Sequence, residues 1–342
     1  MRLISDNDFD EYSYEDLINY CAEKLVPSGG SLNFTQGISR FSVNLDELKQ
    51  NGKIFEQIRA DEELHEKSFS QIADMVCDKG AKAVMLAGPS SSGKTTSAYR
   101  LATQLRIRGK KPILLGLDDY YIDRDKISPG PDGKMDFEHI NTIDIALFRE
   151  NIQQLLSGKD VILPSFNFKN GNRQWQPVPV QMTEDTVFII EGLHALNPVL
   201  LPDNLDGSPI LRLYVCPLLH IHIDDDNHIS GSFLRLVRRI VRDYKNRGAS
   251  VQQTIAMWDS VRRGEKSWII PFQKNADVIF NSATLYELTV LKKHIIPILN
   301  AVPPQDECYQ QIRELATVLN YIPDADIEDE IPLTSIVREF IG

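Results

Sequence analysis

Five short apolar runs mark the chain from residue 83 onward: Ala83–Ala87, Pro112–Leu117, Val187–Ile190, Ile210–Val215 and Asp277–Phe280. Stretches with helical spacing lie between and after them, near Lys94–Arg108, Ile143–Ser157, Ser232–Asn246 and Leu285–Leu299. Short continuous apolar runs separated by helices predict an α/β fold, a parallel sheet with helices on both faces. Residues 160–182 break that rhythm. There Phe166, Phe168 and Trp175 flank Lys169-Asn170-Gly171-Asn172-Arg173, and an Asn-Gly between aromatic segments predicts a hairpin. Upstream, a charged stretch from Leu45 to Asp78 repeats Ile54, Ile58, Phe69 and Ile72 at helical spacing and ends before Gly80. The expected division is a small N-terminal appendage over 1–78, a main domain over 79–300 and a helical tail over 301–342. The tail carries Pro303-Pro304, a helix near Gln310–Leu319, an acidic patch at Asp324–Glu330 and a last short helix.

Composition narrows the class without changing the fold. The 342 residues are 42% apolar and 25% charged, ordinary for a globular chain long enough to form two domains or one enlarged α/β domain. A formal charge of −11, from 48 acids against 37 bases, argues against broad nucleic-acid binding, which rests on neutralising phosphates. Cys21, Cys77, Cys216 and Cys308 form no CxxC pair, so neither a zinc knuckle nor a disulfide framework is expected. No apolar run approaches the roughly 20 residues that span a bilayer. The opening MRLISDNDFDEYSYED is acidic and lacks the basic-then-apolar order of a secretory leader. A reduced cytoplasmic protein is expected, with no nucleic-acid or membrane partner and an oligomeric state, homo-oligomer or monomer, left open.

The sharpest chemical signal is Gly88-Pro89-Ser90-Ser91-Ser92-Gly93-Lys94-Thr95, followed by Thr96. It fits the P-loop pattern GxxxxGK[ST] at every fixed position, with a strand before it and a helix after it. Glycines let such a loop wrap phosphate oxygens so that backbone N–H groups point inward, and the helix adds its positive dipole end. Lys94 then serves the β- and γ-phosphates of ATP and Thr95 ligates Mg²⁺.

A P-loop implies nucleotide binding but names no reaction. The next strand ends in Leu117-Asp118-Asp119-Tyr120-Tyr121, and ligands of open α/β sheets bind beyond the strands' C-terminal ends. Asp118 is favoured as the base for an acceptor hydroxyl or a holder of metal-bound water, with Asp119 a cap or turn residue. Glu191, closing Val187-Phe188-Ile189-Ile190, is the expected partner of Thr95 at Mg²⁺. Arg235, Arg238, Arg239 and Arg242 fall within an arc of about 100° on one helix, opposite Phe233, Leu236, Val237, Ile240 and Val241. Guanidinium groups suit the charge of a transferring phosphoryl, so this helix is expected to act as part of a lid, with Arg262 and Arg263 joining it. The segment His220-Ile221-His222 with Asp224, Asp225 and Asp226 raises a metal site, but a solvated loop explains it more simply.

Together these motifs resemble the uridine kinase branch of the phosphoribulokinase/uridine kinase superfamily of P-loop kinases. The anchors are GPSSSGKTT at 88–96, LDDYY at 117–121, DFEH at 136–139, IIEG at 189–192 and LRLVRRIVRD at 234–243. PSFNFKNG, MWDSVRRGE and ADVIFNSA extend the likeness to bacterial-type nucleoside kinases preceded by threonyl-tRNA-synthetase-like modules, of which residues 1–78 look like a remnant. The resemblance implies ATP- and Mg²⁺-dependent phosphorylation of a nucleoside 5′-hydroxyl, uridine foremost. It implies Asp118 as base, with Lys94, Arg235 and Arg238 completing the catalytic set. Tyr121 then lies beside the acceptor, Phe137 and Glu138 stand where the family has a Phe-Asp pair whose acid holds the ribose hydroxyls, and Phe166 and Phe168 line the base. The hairpin turn has no His, the residue with which well-known uridine–cytidine kinases read the pyrimidine edge, so the base itself is not carried over. The alternatives are a kinase of pantothenate, glycerate or a sugar phosphate, and a non-catalytic ATP-binding regulatory protein.

Overall fold

The computed structural model describes residues 53–127, 138–167, 170–200, 204–205, 208–218, 220–222 and 228–342. Phe137 and Phe168 of the expected acceptor wall, and residues 45–52 of the expected first helix, lie outside them. Helix α1 (Lys53–Asp78) leads into strand β1 (Ala83–Ala87), helix α2 (Lys94–Ile107) and strand β2 (Lys111–Gly116). A 3₁₀ turn at Leu117–Tyr120 follows, then α3 (Ile145–Leu156), the hairpin of β3 (Pro164–Asn167) and β4 (Asn172–Trp175), and β5 (Thr186–Glu191). Next come β6 (Asn204–Leu205), β7 (Ser208–Cys216), β8 (His220–His222) and β9 (His228–Ser230). The chain closes with α4 (Gly231–Arg247), α5 (Val251–Trp268), α6 (Ile270–Gln273), β10 (Val278–Asn281), α7 (Glu287–Asn300), α8 (Tyr309–Asn320) and α9 (Arg338–Ile341).

The main sheet runs β10-β7-β1-β5-β2 in parallel, with β6 antiparallel on β7. Its two faces alternate with period two. Val84, Leu86, Val187, Ile189, Leu211, Leu213 and Val215 join one core with residues of α1, α2, α4, α7, α8 and α9. Met85, Phe188, Ile190, Ile210 and Tyr214 join the other core, against Phe148, Ile152 and Leu155 of α3. Fully burying one such side chain stabilises by about 1.5–3 kcal/mol, which is why these runs hold a two-sided sheet. Helix α1 shares the first core through Ile54, Ile58, Phe69 and Ile72, as do Ile336, Val337 and Phe340 near the C-terminal end.

Two expectations change. The segment at His220, expected as a loop, pairs antiparallel with His228–Ser230 as a short hairpin. The helix of the arginine arc, expected as part of a lid, is instead packed into the core: Arg235, Arg238, Arg239 and Arg242 are all buried, paired with acidic groups of α4 itself, α5 and α7. Among the described residues, no helix is long and apolar enough to cross a membrane.

Candidate nucleotide and acceptor site

The loop from Gly88 to Gly93 runs from the end of β1 into α2, where the sequence pattern expects a phosphate cradle. Gly93 is the N-cap of α2 at φ 87° in the left-handed region, and having no side chain it makes no cap hydrogen bond of its own. A Cβ at Gly93 would also lie 2.5 Å from Ile336 Cγ2, so this position needs glycine twice over. Ser91 sits at φ 60°, a left-handed non-glycine residue of the kind that clusters at ligand sites.

The arginines hold this loop. Arg235 donates to the Ser90 carbonyl at 3.1 Å and to both Glu265 oxygens, one of them at 2.8 Å. Arg238 donates to Glu287 at 2.7 and 2.9 Å, to the Ser282 carbonyl at 2.8 Å and to the Ser91 carbonyl at 3.3 Å. In a planar trans peptide the C=O and the next N–H point opposite ways, so tying down the Ser90 carbonyl turns the Ser91 N–H away from Arg235. Both guanidinium groups, expected at the phosphates, are thus committed to carboxylates and loop carbonyls: they shape the cradle. Arg239 donates to the loop side chain instead, to Ser90 Oγ at 2.8 Å. Of the pair on α5, Arg262 lies 3.7 Å from Glu265 and Arg263 is exposed.

Lys94 donates to the Pro89 carbonyl at 3.2 Å, and Thr95 Oγ1 to Glu191 Oε1 at 3.2 Å. Glu191 Oε2 is buried with no hydrogen-bond partner. Burial pushes the Glu191 carboxyl up to about 7, against the pull of Lys94. An alcohol beside a carboxylate with an uncommitted oxygen is a hard-donor pair that fits Mg²⁺, and these residues would hold it.

On the acceptor side, Tyr121 is hydrogen-bonded to Asp118, and burial with the Asp118 charge raises its phenol well above the usual 10. Glu138 reaches the same space because Gly264 of α5 has no Cβ to meet it. Burial and the Glu265 charge push Glu138 up to about 7, with Arg239 and Lys94 opposing. Asp118 acts electrostatically on Tyr121, Glu138 and Glu191, so Asp118, Glu138, Glu191 and Lys94 form one cluster. Asp119 accepts the Phe166 N–H at 3.1 Å across 47 residues and so ties the hairpin, a long-range tether where the sequence predicts a cap or turn residue. Phe166 then meets Tyr121 edge-to-face at 5.6 Å.

The sequence profile of the Phosphoribulokinase / Uridine kinase family matches residues 83–288. The chain belongs to this family. Its members in this comparison include the uridine kinase of Brevibacillus brevis, 29% identical over 195 residues, covering 57% of this chain and 81% of that protein. The uridine kinase of Staphylococcus aureus is 30% identical over 202 residues, 59% of this chain and 87% of its own length. Among solved structures, D-glycerate 3-kinase from Cryptococcus neoformans aligns at TM-score 0.41 and 17% identity, over 58% of this chain and 87% of that one. As a family member the chain is a P-loop kinase, a phosphotransferase. Sequence reasoning missed several supports of this kinase site: Glu265, Glu287, Gly264 and, from the tail, Ile336 and Glu339. None carries a local motif; only MWDSVRRGE, which contains Gly264 and Glu265, gave a hint.

Proposed function

We propose that the protein transfers the terminal phosphoryl of ATP to the 5′-hydroxyl of a nucleoside, uridine foremost, giving the monophosphate and ADP. The observation that carries this reading is that Lys94 of the phosphate loop and Asp118 both act electrostatically on Glu138 and on Glu191, the partner of Thr95. The naming of relatives as uridine kinases supports the choice of acceptor. In this reading Asp118 orients the hydroxyl and takes its proton, while Tyr121 holds the Asp118 carboxylate in place. Glu138 accepts hydrogen bonds from vicinal ribose hydroxyls, and Phe166 lines the base. Lys94 and Arg239 balance the charge of the transferring group, and Arg235 and Arg238 keep the loop shaped for it. Thr95 and Glu191 would hold Mg²⁺, with Asp118 within electrostatic reach; when bound, the ion neutralises charge between the β- and γ-phosphates. Little covalent work falls to the protein, and rate comes from positioning and fixed charge.

The test is a panel of acceptors with ATP and Mg²⁺, following ADP release and product phosphate. Uridine is expected to give UMP faster than cytidine, the purine nucleosides, pantothenate or glycerate. Phosphorylation of pantothenate or glycerate with no nucleoside turnover would overturn the acceptor. Tight ATP binding with no phosphorylated acceptor would overturn catalysis altogether.

A further inference from the structure

The start of α2, where a phosphate is expected, already holds an anion supplied by the chain itself. Glu339 Oε2, on α9, accepts the Thr96 hydroxyl at 2.8 Å and the Thr96 N–H at 3.3 Å, across 243 residues of sequence. The same segment presses on the loop through Ile336, whose Cγ2 fills the space a Cβ of Gly93 would take. Glu339 is also close enough to Glu191 for its charge to oppose ionisation there. The backbone around Glu339 is pinned. Ile336, Val337 and Phe340 are fully buried, Ser335 donates to Glu62 at 2.7 Å, and the Arg238 guanidinium lies 5.0 Å from the centroid of the Phe340 ring. The Glu339 side chain itself is only half-buried, so it can swing while its helix stays.

Backbone N–H groups of a P-loop receive the α- and β-phosphates, and a carboxylate on the same donors excludes them by charge and by volume. We propose that Glu339 is an intramolecular competitor for the nucleotide: its carboxylate occupies phosphate-binding donors of Thr96 and must leave before the polyphosphate seats. The device rests on the kinase reading for the identity of the displaced group. It sets a threshold, because the apparent affinity for nucleotide is the intrinsic one reduced by the fraction of chains with Thr96 free. A carboxylate that occupies Thr96 in about nine chains of ten weakens nucleotide binding about tenfold.

The test is calorimetric titration of the full chain with ADP and Mg²⁺ at fixed ionic strength, comparing wild type, Glu339→Ala, Glu339→Gln and Glu330→Gln. Glu339→Gln keeps the shape and an acceptor oxygen, so it guards against loss of folding in the alanine variant. Glu339→Ala is expected to bind ADP about tenfold more tightly, each 1.4 kcal/mol being a factor of ten, and Glu339→Gln, which removes the charge but not the volume, more tightly by a smaller factor. Glu330→Gln, on the same tail but exposed, is expected to match wild type. Equal or weaker ADP binding by the Glu339 variants overturns the proposal, as does equal tightening by Glu330→Gln, which would mean a diffuse charge effect. Absence of ADP binding in all four chains overturns the nucleotide reading, and the competitor with it.

Discussion

The two walls of the site are braced by different physics. On the donor side, Arg235 and Arg238 have side chains 5% and 0% exposed, and their partners Glu265 and Glu287 are 2% and 0% exposed. On the acceptor side, the hairpin is tied by Asp119 to the Phe166 N–H, by Asp123 to the Arg173 N–H, and by an Arg173–Asp144 pair 18% and 30% exposed. Charges withdrawn from water are costly to separate once paired, whereas solvent-screened pairs contribute little. The phosphate loop is therefore the stiff part of the site, and the acceptor wall can be reshaped at small cost.

The largest expected effect breaks the donor brace. Arg238→Ala leaves Glu287 buried without its cation and should cost about 3–5 kcal/mol in chemical denaturation. Arg173→Ala, at a partly exposed pair whose guanidinium also donates to the Tyr120 and Tyr121 carbonyls at 3.1 Å, should cost less, about 1–2 kcal/mol. Equal losses at the two positions would erase the contrast between the walls. Next come the reacting groups, where stability should hardly move. Lys94→Ala and Asp118→Asn should each lower kcat by about a hundredfold or more, a barrier increase of about 3 kcal/mol. Wild-type kcat for Asp118→Asn at saturating nucleoside would remove the base assignment.

A smaller effect separates the walls kinetically. A Cβ at Gly264 would overlap Glu138 Cβ and come within 2.8 Å of its Cγ. Gly264→Ala should therefore push Glu138 out of line and raise KM for the nucleoside about tenfold, the lower part of the range for overpacking. The helical gain of alanine over glycine offsets part of the stability loss. KM for ATP should stay near wild type; a matching rise there would mean that the two walls move as one body.

The donor wall was legible where the signal is local. Gly88 to Thr95 is a contiguous pattern, and the strands before and after it announce themselves as runs buried on both faces. The arginines show the limit. Periodicity placed Arg235 and Arg238 on one arc but could not see the carboxylates that turn them inward, which lie 30 and 49 residues further along. Helical spacing detects which residues share a face, not what that face meets. Glu339, brought to Thr96 by tertiary packing alone, had no local signature. On the acceptor side, a local reading makes Asp119 a cap or turn residue and misses that its carboxylate reaches Phe166, 47 residues away, and the need for glycine at 264 follows only from the approach of Glu138.

A further expected effect, read through pH, concerns how α1 joins the donor wall. Asp61 is buried on α1, accepting the Leu285 N–H at 2.8 Å and the Gln57 amide at 2.7 Å, and burial pushes its carboxyl from the usual 3.8 up to about 7. Between those values the folded chain keeps a proton that the unfolded chain has already released. Unfolding then releases that proton, so this residue makes stability fall as pH rises from about 4 to about 7, with no further change above. Asp61→Asn keeps an acceptor for Leu285 and removes the titration. The difference in unfolding free energy between variant and wild type should therefore shift in favour of the variant across that window and be flat above it. A difference independent of pH would mean that Asp61 stays ionised, with Leu285 and Gln57 sufficient to hold a charge on the helix that backs the P-loop.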